Sequence, residues 1–414
     1  MKSKGKSILF LSGIDFKEKS IQVIRKTPEA YAKKGWNVDY FVLRDYSKKG
    51  NYFYEQPFNP ELVNVFRSSY PLRWLRDLIP SGLFNIIINK IILLLGSYKL
   101  YRQVKKHLQK KQYDVIYGYE NVGVLALHFL KKRGYLNDLP TVSRFQGTWM
   151  TSYFKAGRKF KLFLNKDFKM GLQFQSDLAI MTDDGTQGDF IFQHYNPNHP
   201  NFKFWCNGVD PIVENPTISA QLIDQYDLKN QSIFLSISRL EGWKRVDRVI
   251  HTLDAFKKSN PTYPFKYLVV GDGQERKSLE ELVKKLGLQE NVIFLGAIPH
   301  QQVAQFLIIA DIFFSFYSLS NVGNPLLEAI RANKIIFTLN NGDTSKWITH
   351  QENGFIYDEQ TPFYATAAGD LASLLSNEEL YQQIKQGITE TCDQKLWTWE
   401  ERFNAEVNEV EKLC

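Results

Sequence analysis

The chain has 414 residues, of which 43% are apolar and 14% aromatic, which excludes a disordered, collagen-like or coiled-coil protein. At about 100–200 residues per domain, this length predicts two or three folded domains. The three cysteines, Cys206, Cys392 and Cys414, form no CxxC pattern. Their number and spacing argue against a disulfide framework or a cysteine-based zinc site and favour a reducing, cytoplasmic compartment.

The net charge of +8 is divided unequally along the chain. Residues 1–200 carry 32 Lys and Arg against 16 Asp and Glu, a net charge of +16, whereas residues 201–414 carry a net charge of −8. Opposite charges predict two domains with different partners. The basic, aromatic-rich half also suits a nucleic-acid-binding protein, but RRM, KH and helix-turn-helix patterns are lacking, so nucleic acid is not an expected partner.

Short apolar runs alternate with longer amphipathic stretches, which predicts an α/β fold with parallel sheets covered by helices on both faces. Thr27 followed by Pro28 predicts a helix start, and Gly35 predicts its end. The apolar residues 83–96 are too few and too interrupted to span a membrane, so a buried or interfacial helix is expected there, followed by a strongly basic helix at 98–111. The predicted strands are residues 8–11, 38–43, 63–66, 115–117, 141–143, 178–182, 203–205, 233–238, 267–270, 292–295, 312–316 and 335–338.

A break falls at residues 207–220 (NGVDPIVENPTISA), where Gly, Asn and two Pro interrupt the periodicity. A complete second series of strands and helices follows it. We therefore expect two tandem doubly wound, Rossmann-like domains with a cleft between them. Ligands of such sheets bind outside the carboxyl ends of the strands.

Two cations follow the first strand of the second series. Arg239 and Lys244 lie just past the strand at 233–238 in the segment FLSISRLEGWKRVDR. A planar guanidinium and a mobile ammonium at a strand's carboxyl end suit a diphosphate. The alternative is a pair of ordinary solvated loop cations.

A second informative segment is residues 315–328 (SFYSLSNVGNPLLE). Gly323 allows close backbone approach, Asn324 can cap a helix, and a proline at the first helical position follows. Such a helix start binds phosphate through free backbone N–H groups. Glu328, one turn further, can accept hydrogen bonds from a ligand diol such as ribose, although a first-turn Glu also simply favours the helix dipole.

Together with residues 207–210, 269–288, 291–299 and 397–410, these segments resemble the family 4 glycosyltransferases, retaining enzymes of the GT-B fold. The family's R-x4-K pair binds the donor diphosphate, which implies that role for Arg239 and Lys244. Its E-x7-E motif ends in the Glu that binds the nucleotide ribose, which implies Glu328. The resemblance also implies donor contacts from Gly323, Asn324 and Leu326.

The resemblance further implies an acceptor-binding domain at residues 1–210, joined by a final helix at about 397–414, and a donor-binding domain at 211–396. In the first half, FLSGIDF resembles the family's small-residue loop beneath the donor and implies a role for Gly13. Glu120 and Asp183 are unassigned candidates at the carboxyl ends of later strands.

Two departures from the family pattern bear on the chemistry. Ser320 stands where the family has the first Glu of its motif, which contacts donor sugar hydroxyls, so the identity of the sugar is left open. Gln146 precedes Gly147 where many members have a His-Gly pair. A glutamine cannot act as a general base near pH 7, so positioning is the role expected of Gln146.

The resemblance implies a metal-independent hexosyltransferase that moves a sugar from a UDP- or GDP-linked donor to an acceptor hydroxyl in polysaccharide, glycolipid or cell-surface glycan assembly. The nucleotide sugar is a substrate, and no cofactor or metal is expected, since D-x-D is absent and the histidines lack ligand spacing. Two alternatives remain: a nucleotide-sugar epimerase or hydrolase on the same fold, and a catalytically degenerate binding protein, which Ser320 and Gln146 would suit.

The acceptor is expected to be a glycan or a lipid-linked sugar. Residues 151–170 carry six Lys and Arg against one Asp, interleaved with aromatic side chains. With residues 74–84 and 83–111 they predict an interfacial surface for an anionic membrane. The expected location is cytoplasmic and peripheral on the inner face of the membrane, and the alternative is a basic face that is only solvated.

Overall fold

The computed structural model describes residues 5–15, 22–44, 63–79, 82–359 and 362–414. The chain forms two compact units. Unit 1 comprises Met1–Asp183, Gln187–Asn207 and Glu400–Cys414, and unit 2 comprises Asp184–Thr186 and Gly208–Trp399. The chain therefore enters unit 2, and its last residues return to unit 1.

Every strand predicted from the sequence is present, and one further strand, β13, was missed. Unit 1 contains β1–β7 and unit 2 contains β8–β13 within the described residues. The strands are β1 (Ser7–Ser12), β2 (Asn37–Arg44), β3 (Val63–Ser69), β4 (Val115–Tyr119), β5 (Thr141–Phe145), β6 (Leu178–Thr182), β7 (Phe202–Trp205), β8 (Ser232–Ile237), β9 (Phe265–Val270), β10 (Val292–Gly296), β11 (Ile312–Ser315), β12 (Ile335–Leu339) and β13 (Phe355–Tyr357).

The helices follow the strands in alternation, as the sequence predicts. They are α1 (Gln22–Lys33), α2 (Trp74–Leu78), α3 (Leu83–Leu108), α4 (Glu120–Lys132), α5 (Met150–Lys155), α6 (Lys159–Leu164), α7 (Lys166–Leu172), α8 (Gly188–Tyr195), α9 (Pro216–Gln225), α10 (Val246–Ser259), α11 (Arg276–Lys285), α12 (His300–Ile309), α13 (Asn324–Arg331), α14 (Tyr364–Ser376), α15 (Glu378–Lys395) and α16 (Trp399–Glu411).

Unit 1 contains a sheet of order β3-β2-β1-β4-β5-β6-β7. Neighbouring strands pair in parallel throughout this sheet. The apolar residues of β1 and β4 are almost completely buried. Because both faces of a parallel sheet are covered by helices, its central strands are continuous apolar runs rather than alternating ones.

A buried ion cluster ties α16 to the sheet of unit 1. Glu406 on α16 accepts hydrogen bonds from Tyr117 at 2.8 Å and from Arg402 at 2.9 Å, and it pairs with Arg144 of β5. Both arginines and the glutamate are 0% exposed. Burial alone would raise the pKa of Glu406, but the two guanidinium groups outweigh it, and the pKa is lowered.

Unit 2 contains a parallel sheet of order β10-β9-β8-β11-β12-β13. Its core includes Phe234 of β8 and Phe314 of β11, both 0% exposed, whose rings meet edge to face at 5.8 Å. From β8 the chain adds β9 and β10 on one side of the sheet, and from β11 it adds β12 and β13 on the other side. The order is that of a doubly wound nucleotide-binding sheet.

Helix α3 is one continuous helix, not the two helices that the sequence predicted at 83–96 and 98–111. Gly96 lies inside this helix and does not end it. A glycine is required there by packing, since the Tyr70 ring lies 2.5 Å from where a Cβ would be. Among the described residues, α3 is the one helix long and apolar enough to cross a membrane, and 22% of its most apolar window is buried.

The first half of α3 contributes to a large exposed apolar patch on unit 1, called here the apolar surface. Lys90 of α3 donates to Asn165 at 2.8 Å and to Asp167 at 2.9 Å, which places the junction of α6 and α7 beside α3. Phe84 is 77% exposed and Phe163 is 69% exposed. The apolar surface consists of Trp74, Leu78, Leu83, Phe84, Ile86, Ile87, Ile91, Leu94, Leu95, Phe160 and Phe163.

Candidate functional site

The candidate site of unit 2 lies at the carboxyl ends of β8 and β11. These two strands are neighbours at the centre of the sheet, and the chain leaves them towards opposite edges. The loops that follow them diverge at such a switch point, which leaves a crevice for a ligand. Arg239 and Lys244 follow β8, and the predicted residues from Ser320 to Glu328 follow β11. Seven of the nine predicted site residues therefore follow these two neighbouring strands, at the carboxyl-terminal end of the sheet.

The loop after β8 is organised by Glu241. One carboxylate oxygen accepts a hydrogen bond from Arg239 Nη1 at 2.7 Å, and the other accepts one from Trp243 Nε1 at 2.7 Å. A 3-10 turn over Gly242–Lys244 and a left-handed Arg245, with φ of 47°, then lead into α10. The two predicted diphosphate cations are thus held by a short, turned segment.

The ammonium group of Lys244 lies between two aromatic rings. Its Nζ is 4.0 Å from the centroid of the Trp243 ring and 3.8 Å from the centroid of the Tyr317 ring. Burial and the nearby Arg239 lower the pKa of Lys244 to about 7, against the opposing influence of Glu241. Near this pKa the side chain is present both as the neutral amine and as the ammonium, and an arriving anion favours uptake of a proton by the amine.

The loops after β8 and β11 are connected directly. The backbone N–H of Ser318 donates to the carbonyl of Trp243 at 2.9 Å, and the hydroxyl of Tyr317 donates to the carbonyl of Ile237 at 3.0 Å. Buried Asn321 accepts the N–H of Tyr317 at 2.9 Å and donates to the Leu339 carbonyl at 3.2 Å. These bonds hold the aromatic slot around Lys244 in place.

Ser320 is engaged with backbone groups of its own unit. Its hydroxyl donates to the carbonyl of Asp184 at 2.6 Å and accepts the N–H of Val322 at 3.2 Å. A Cβ on Gly185 would lie 2.2 Å from the Ser320 Oγ, so the segment around Gly185 packs closely against this loop.

Helix α13 begins one residue earlier than the sequence predicted. Gly323 is the N-cap residue, Asn324 is the first helical residue, and no side chain caps the helix. Asn324 therefore does not cap, because extended Gly323, with φ of −142°, already accepts the N–H of Leu327 at 3.1 Å. Leu326 is 1% exposed, backbone included, so its contact with a donor stays a prediction. Glu328 is half-buried in the next turn.

Gly13 lies in unit 1, directly after β1. A Cβ at this position would lie 2.4 Å from the Tyr70 Oη and 2.5 Å from the Val122 Cβ. The Tyr70 hydroxyl also donates to the carbonyl of Gly13 at 2.6 Å. Packing within unit 1 is enough to require glycine here, so the role of Gly13 towards a donor stays a prediction.

Gln146 also lies in unit 1, after β5. Its backbone N–H donates at 2.7 Å to the carboxylate of Glu120, which follows β4 with a left-handed φ of 58°. Gly147, with φ of 107°, continues the turn. Left-handed backbone at a non-glycine residue is strained, and such strain concentrates at functional sites. The positioning role of Gln146 stays a prediction.

A cavity of about 390 Å³ opens beside the loop after β8. None of the nine predicted site residues lines it, so we do not assign the donor to it. Among the described residues, no group of three or more His, Cys, Asp or Glu side chains could hold a metal ion. The cavity is lined by both polar and apolar residues: Leu240, Glu241, Gly242, Arg245, Val246, Asp247, Glu275, Ser278, Leu279 and Leu282.

Residues 220–391, which lie within unit 2, match the family model described as glycosyl transferases group 1. The match includes Arg239, Lys244 and all of α13. Over these residues unit 2 is similar to the group 1 glycosyltransferases. The resemblance to family 4-type glycosyltransferases is confirmed.

Named relatives of the chain include N-acetyl-alpha-D-glucosaminyl L-malate synthase of Bacillus anthracis. It is 28% identical over 187 residues, which are 45% of this chain and 47% of the relative. The GDP-mannose-dependent alpha-(1-6)-phosphatidylinositol monomannoside mannosyltransferase of Mycolicibacterium smegmatis is 23% identical over 170 residues, 39% of this chain and 44% of the relative. The chain thus spans less than half the length of these two relatives.

Solved glycosyltransferase structures match the fold over nearly the whole chain. HepE of Anabaena in complex with UDP has a TM-score of 0.70 at 17% identity, covering 99% of this chain and 100% of HepE. WaaG, a glycosyltransferase involved in lipopolysaccharide biosynthesis, has a TM-score of 0.65 at 18% identity, covering 97% of this chain and 99% of WaaG. The prediction of two parallel-sheet, Rossmann-like domains of the GT-B class is confirmed.

Three residues that arrange the cations of unit 2 were not predicted from the sequence. Glu241 and Trp243 lie between Arg239 and Lys244 in the chain, and Tyr317 lies near the start of the predicted ligand segment, residues 315–328. A carboxylate two residues after a predicted diphosphate-binding arginine is a signal that could have revealed Glu241. The position of Tyr317 depends on strand pairing, which the sequence pattern alone does not reveal.

Proposed function

We propose that the chain is a retaining glycosyltransferase that moves a hexosyl group from a nucleoside-diphosphate sugar to an acceptor hydroxyl. The product belongs to a polysaccharide, a glycolipid or a cell-surface glycan. The observation that carries this proposal is the pair Arg239 and Lys244 at the switch point between β8 and β11, with the start of α13 following β11. The group 1 family match over the same residues supports it.

The difficult step is departure of the diphosphate from the anomeric carbon. As the bond between that carbon and the phosphate oxygen breaks, negative charge builds on the leaving phosphate. Arg239 offers a planar fork of donors, and Lys244 offers a partly desolvated ammonium. The N–H groups at the start of α13 add their partial positive charge. Charges fixed in place before the reaction stabilise such a transition state.

The proton of the acceptor hydroxyl goes to the departing phosphate. Gln146 has no basic group, and an amide cannot take up a proton near pH 7. When the phosphate both leaves and accepts the proton, the acceptor oxygen attacks the same face of the sugar, and the anomeric configuration is retained. The chain's own cations meet the charge of the diphosphate, so the proposed reaction is metal-independent.

The proposed donor is linked to UDP or GDP. The related HepE structure holds UDP, and a relative in Mycolicibacterium smegmatis is named for its dependence on GDP-mannose. Glu328, half-buried on α13, accepts hydrogen bonds from the ribose hydroxyls in this proposal. Ser320 offers the donor sugar a neutral hydroxyl instead of the carboxylate that the family pattern has there.

A donor-hydrolysis assay tests the proposal. The protein is incubated with a panel of UDP- and GDP-sugars, and release of nucleotide and thermal stabilisation are measured. We expect slow hydrolysis of one donor, and we expect Arg239→Ala and Lys244→Ala to lower its kcat/KM by about 100-fold or more while leaving the melting temperature nearly unchanged.

Arg245→Asn is the matched control for these two variants. Arg245 is a cation on the same loop that pairs with Asp247 at 2.8 Å, and asparagine tolerates its left-handed backbone. Its activity should stay within a few-fold of the wild type. Unchanged turnover in Arg239→Ala and Lys244→Ala would reject the diphosphate assignment.

The same assay, run with and without acceptor sugars, separates the alternative functions, because an acceptor speeds nucleotide release by a transferase but not by a hydrolase. An epimerase would convert the donor sugar without releasing the nucleotide, and a degenerate binding protein would show a thermal shift without turnover. A protein that neither releases nucleotide nor is stabilised by any donor would not be a nucleotide-sugar enzyme.

The proposal extends to an anionic membrane as a peripheral partner of unit 1, on the cytoplasmic side, and to a glycan or lipid-linked acceptor. The apolar surface supports it, because its large apolar side chains are exposed to solvent, and exposed apolar patches mark interaction sites. Residues 79–113 contain no Asp or Glu, and residues 155–166 contain five Lys and Arg and no acid. Two copies of so basic a face would repel each other, whereas anionic lipid would attract it.

A further inference from the structure

The carboxylate of Glu241 contacts Arg239, one of the two cations proposed to bind the diphosphate. Its Oε1 accepts a hydrogen bond from Arg239, and its Oε2 is held by the indole N–H of Trp243, both at 2.7 Å. Arg239 is therefore already paired with a carboxylate in the ligand-free protein. Lys244, by contrast, contacts the faces of two aromatic rings.

The pair of Arg239 and Glu241 can be exchanged for another anion. The Arg239 side chain is 56% exposed and that of Glu241 is 31% exposed. An ion pair exposed to this degree contributes about 0–1 kcal/mol, so a diphosphate carrying more charge can displace the carboxylate. The Trp243 carbonyl accepts the N–H of Ser318 at 2.9 Å, so the backbone of this loop stays in place.

The structure provides room for the displaced side chain. Glu241 and Gly242 line the cavity of about 390 Å³ beside this loop, and Arg239 does not line it. Rotation of the Glu241 side chain about its own torsions is enough to move the carboxylate away from Arg239. A carboxylate left beside the incoming phosphates would repel them, so this movement accompanies binding.

We propose that the carboxylate of Glu241 competes with the donor diphosphate for Arg239. After transfer, Glu241 returns to Arg239 and thereby speeds release of the nucleoside diphosphate. This inference rests on the proposed donor site. Arg239 therefore gives up the Glu241 carboxylate when it binds the diphosphate, and it is not an unpaired cation before the diphosphate arrives. Glu241 is a positioning residue, since it acts through Arg239 and touches no reacting atom.

The experiment compares Glu241→Gln with the wild type. Glutamine keeps the size of the side chain and an oxygen for the Trp243 N–H but removes the charge that binds Arg239. The ligands are UDP, GDP and inorganic pyrophosphate, and the last of these tests the cations without a nucleoside. We measure dissociation constants by titration calorimetry and release rates by stopped-flow fluorescence, and we expect about threefold tighter binding and slower release.

Asp247→Asn is the matched control. It removes one negative charge from the first turn of α10, where Asp247 pairs with Arg245 at 2.8 Å, but it leaves the contact between Arg239 and Glu241 intact. Its affinity and release rate should match those of the wild type. A general effect of charge on the loop would change both variants alike.

The outcomes distinguish this inference from the proposed function. If the wild type binds a nucleotide or pyrophosphate but Glu241→Gln binds it equally or more weakly, Glu241 is not a competitor. Equal gains in Glu241→Gln and Asp247→Asn would also overturn the inference. A wild type that binds none of the three ligands would reject the donor site itself. Equal melting temperatures of the three proteins establish that folding is not the cause.

Discussion

The ammonium nitrogen of Lys244 lies 3.8 Å from the centroid of the Tyr317 ring, on the neighbouring loop of the same sheet edge. This contact joins the segment after β8 to the segment after β11. The faces of aromatic rings stabilise a cation, but a carboxylate would stabilise it more. Burial beside Arg239 disfavours the positive charge of Lys244. Lys244 is consequently the group whose charge responds most directly to a bound anion.

Nucleotide binding should depend on pH through Lys244. Its pKa in the ligand-free protein is about 7, and a neighbouring diphosphate raises that value, so binding takes up a proton. Affinity for UDP or GDP should be highest below pH 7 and should fall by up to about tenfold per pH unit above it, until the pKa of the complex is reached. Titration calorimetry from pH 6 to 9, in two buffers of different ionisation enthalpy, measures both effects.

Lys244→Arg provides the control for this pH dependence. An arginine stays charged over the whole range, so its affinity should lose the slope and the proton uptake should vanish. A wild type whose affinity is flat from pH 6 to 9 would show that Lys244 does not titrate on binding.

The apolar surface should bind anionic vesicles. Phe160→Ser and Phe163→Ser together remove two exposed aromatic side chains from α6, which has no buried residue, so folding should be unaffected. We expect co-sedimentation with vesicles of phosphatidylglycerol and phosphatidylcholine to fall about tenfold or more. Phe190→Ser, at a 41% exposed position outside the apolar surface, is the control. Equal binding of all three proteins would reject the proposed membrane contact.

Gly13→Ala should destabilise unit 1. The new methyl group would meet Tyr70 and Val122 at 2.4 and 2.5 Å, and overpacking of this kind costs about 1–3 kcal/mol. Gly369→Ala is the control, because Gly369 is at an exposed position of α14 and nothing lies within 4 Å of its Cβ, and we expect a gain of about 0.5–1 kcal/mol. Urea unfolding measures both changes. Unchanged stability with lost activity would instead assign Gly13 to the donor.

Glu406→Gln should destabilise the protein by about 3–5 kcal/mol, because it leaves two buried guanidinium groups without their carboxylate. The lowered pKa of Glu406 means that its stabilisation is present above the ordinary value of 4.5 and is lost as pH falls through the lower, folded value. Glu409→Gln, at a partly exposed pair on the same helix, should cost about 1 kcal/mol or less. Urea midpoints from pH 3 to 7 test both expectations.

Much of the fold could be predicted from the sequence, because buried parallel strands are continuous apolar runs that short-range composition reveals. Strand β13 was missed since its three residues, Phe355–Tyr357, are too few to show a period. The predicted helix start at Thr27 and Pro28 was wrong: α1 already begins at Gln22 and includes the proline. Gly35, with φ of 86°, ends the turn as predicted.

The candidate site was predictable where it depends on local sequence and not where it depends on packing. Arg239 and Lys244 could be selected because each follows the end of an apolar strand. The placement of Lys244 against the rings of Trp243 and Tyr317 could not be predicted, since Tyr317 comes close to Lys244 only through the pairing of β8 with β11. Nor could Glu406, a charged residue on a helix that any pattern places at the surface, be recognised as 0% exposed.

The buried pair of Arg144 and Glu406 also has a consequence for synthesis, since 262 positions separate its members. At roughly 5–20 residues per second, the ribosome adds the carboxylate on the order of 10–50 s after the guanidinium. During that interval all of unit 2 is made, while the earlier unit still lacks its closing helix. The later-made unit can therefore complete its fold first, and the amino-terminal unit must wait for the end of translation.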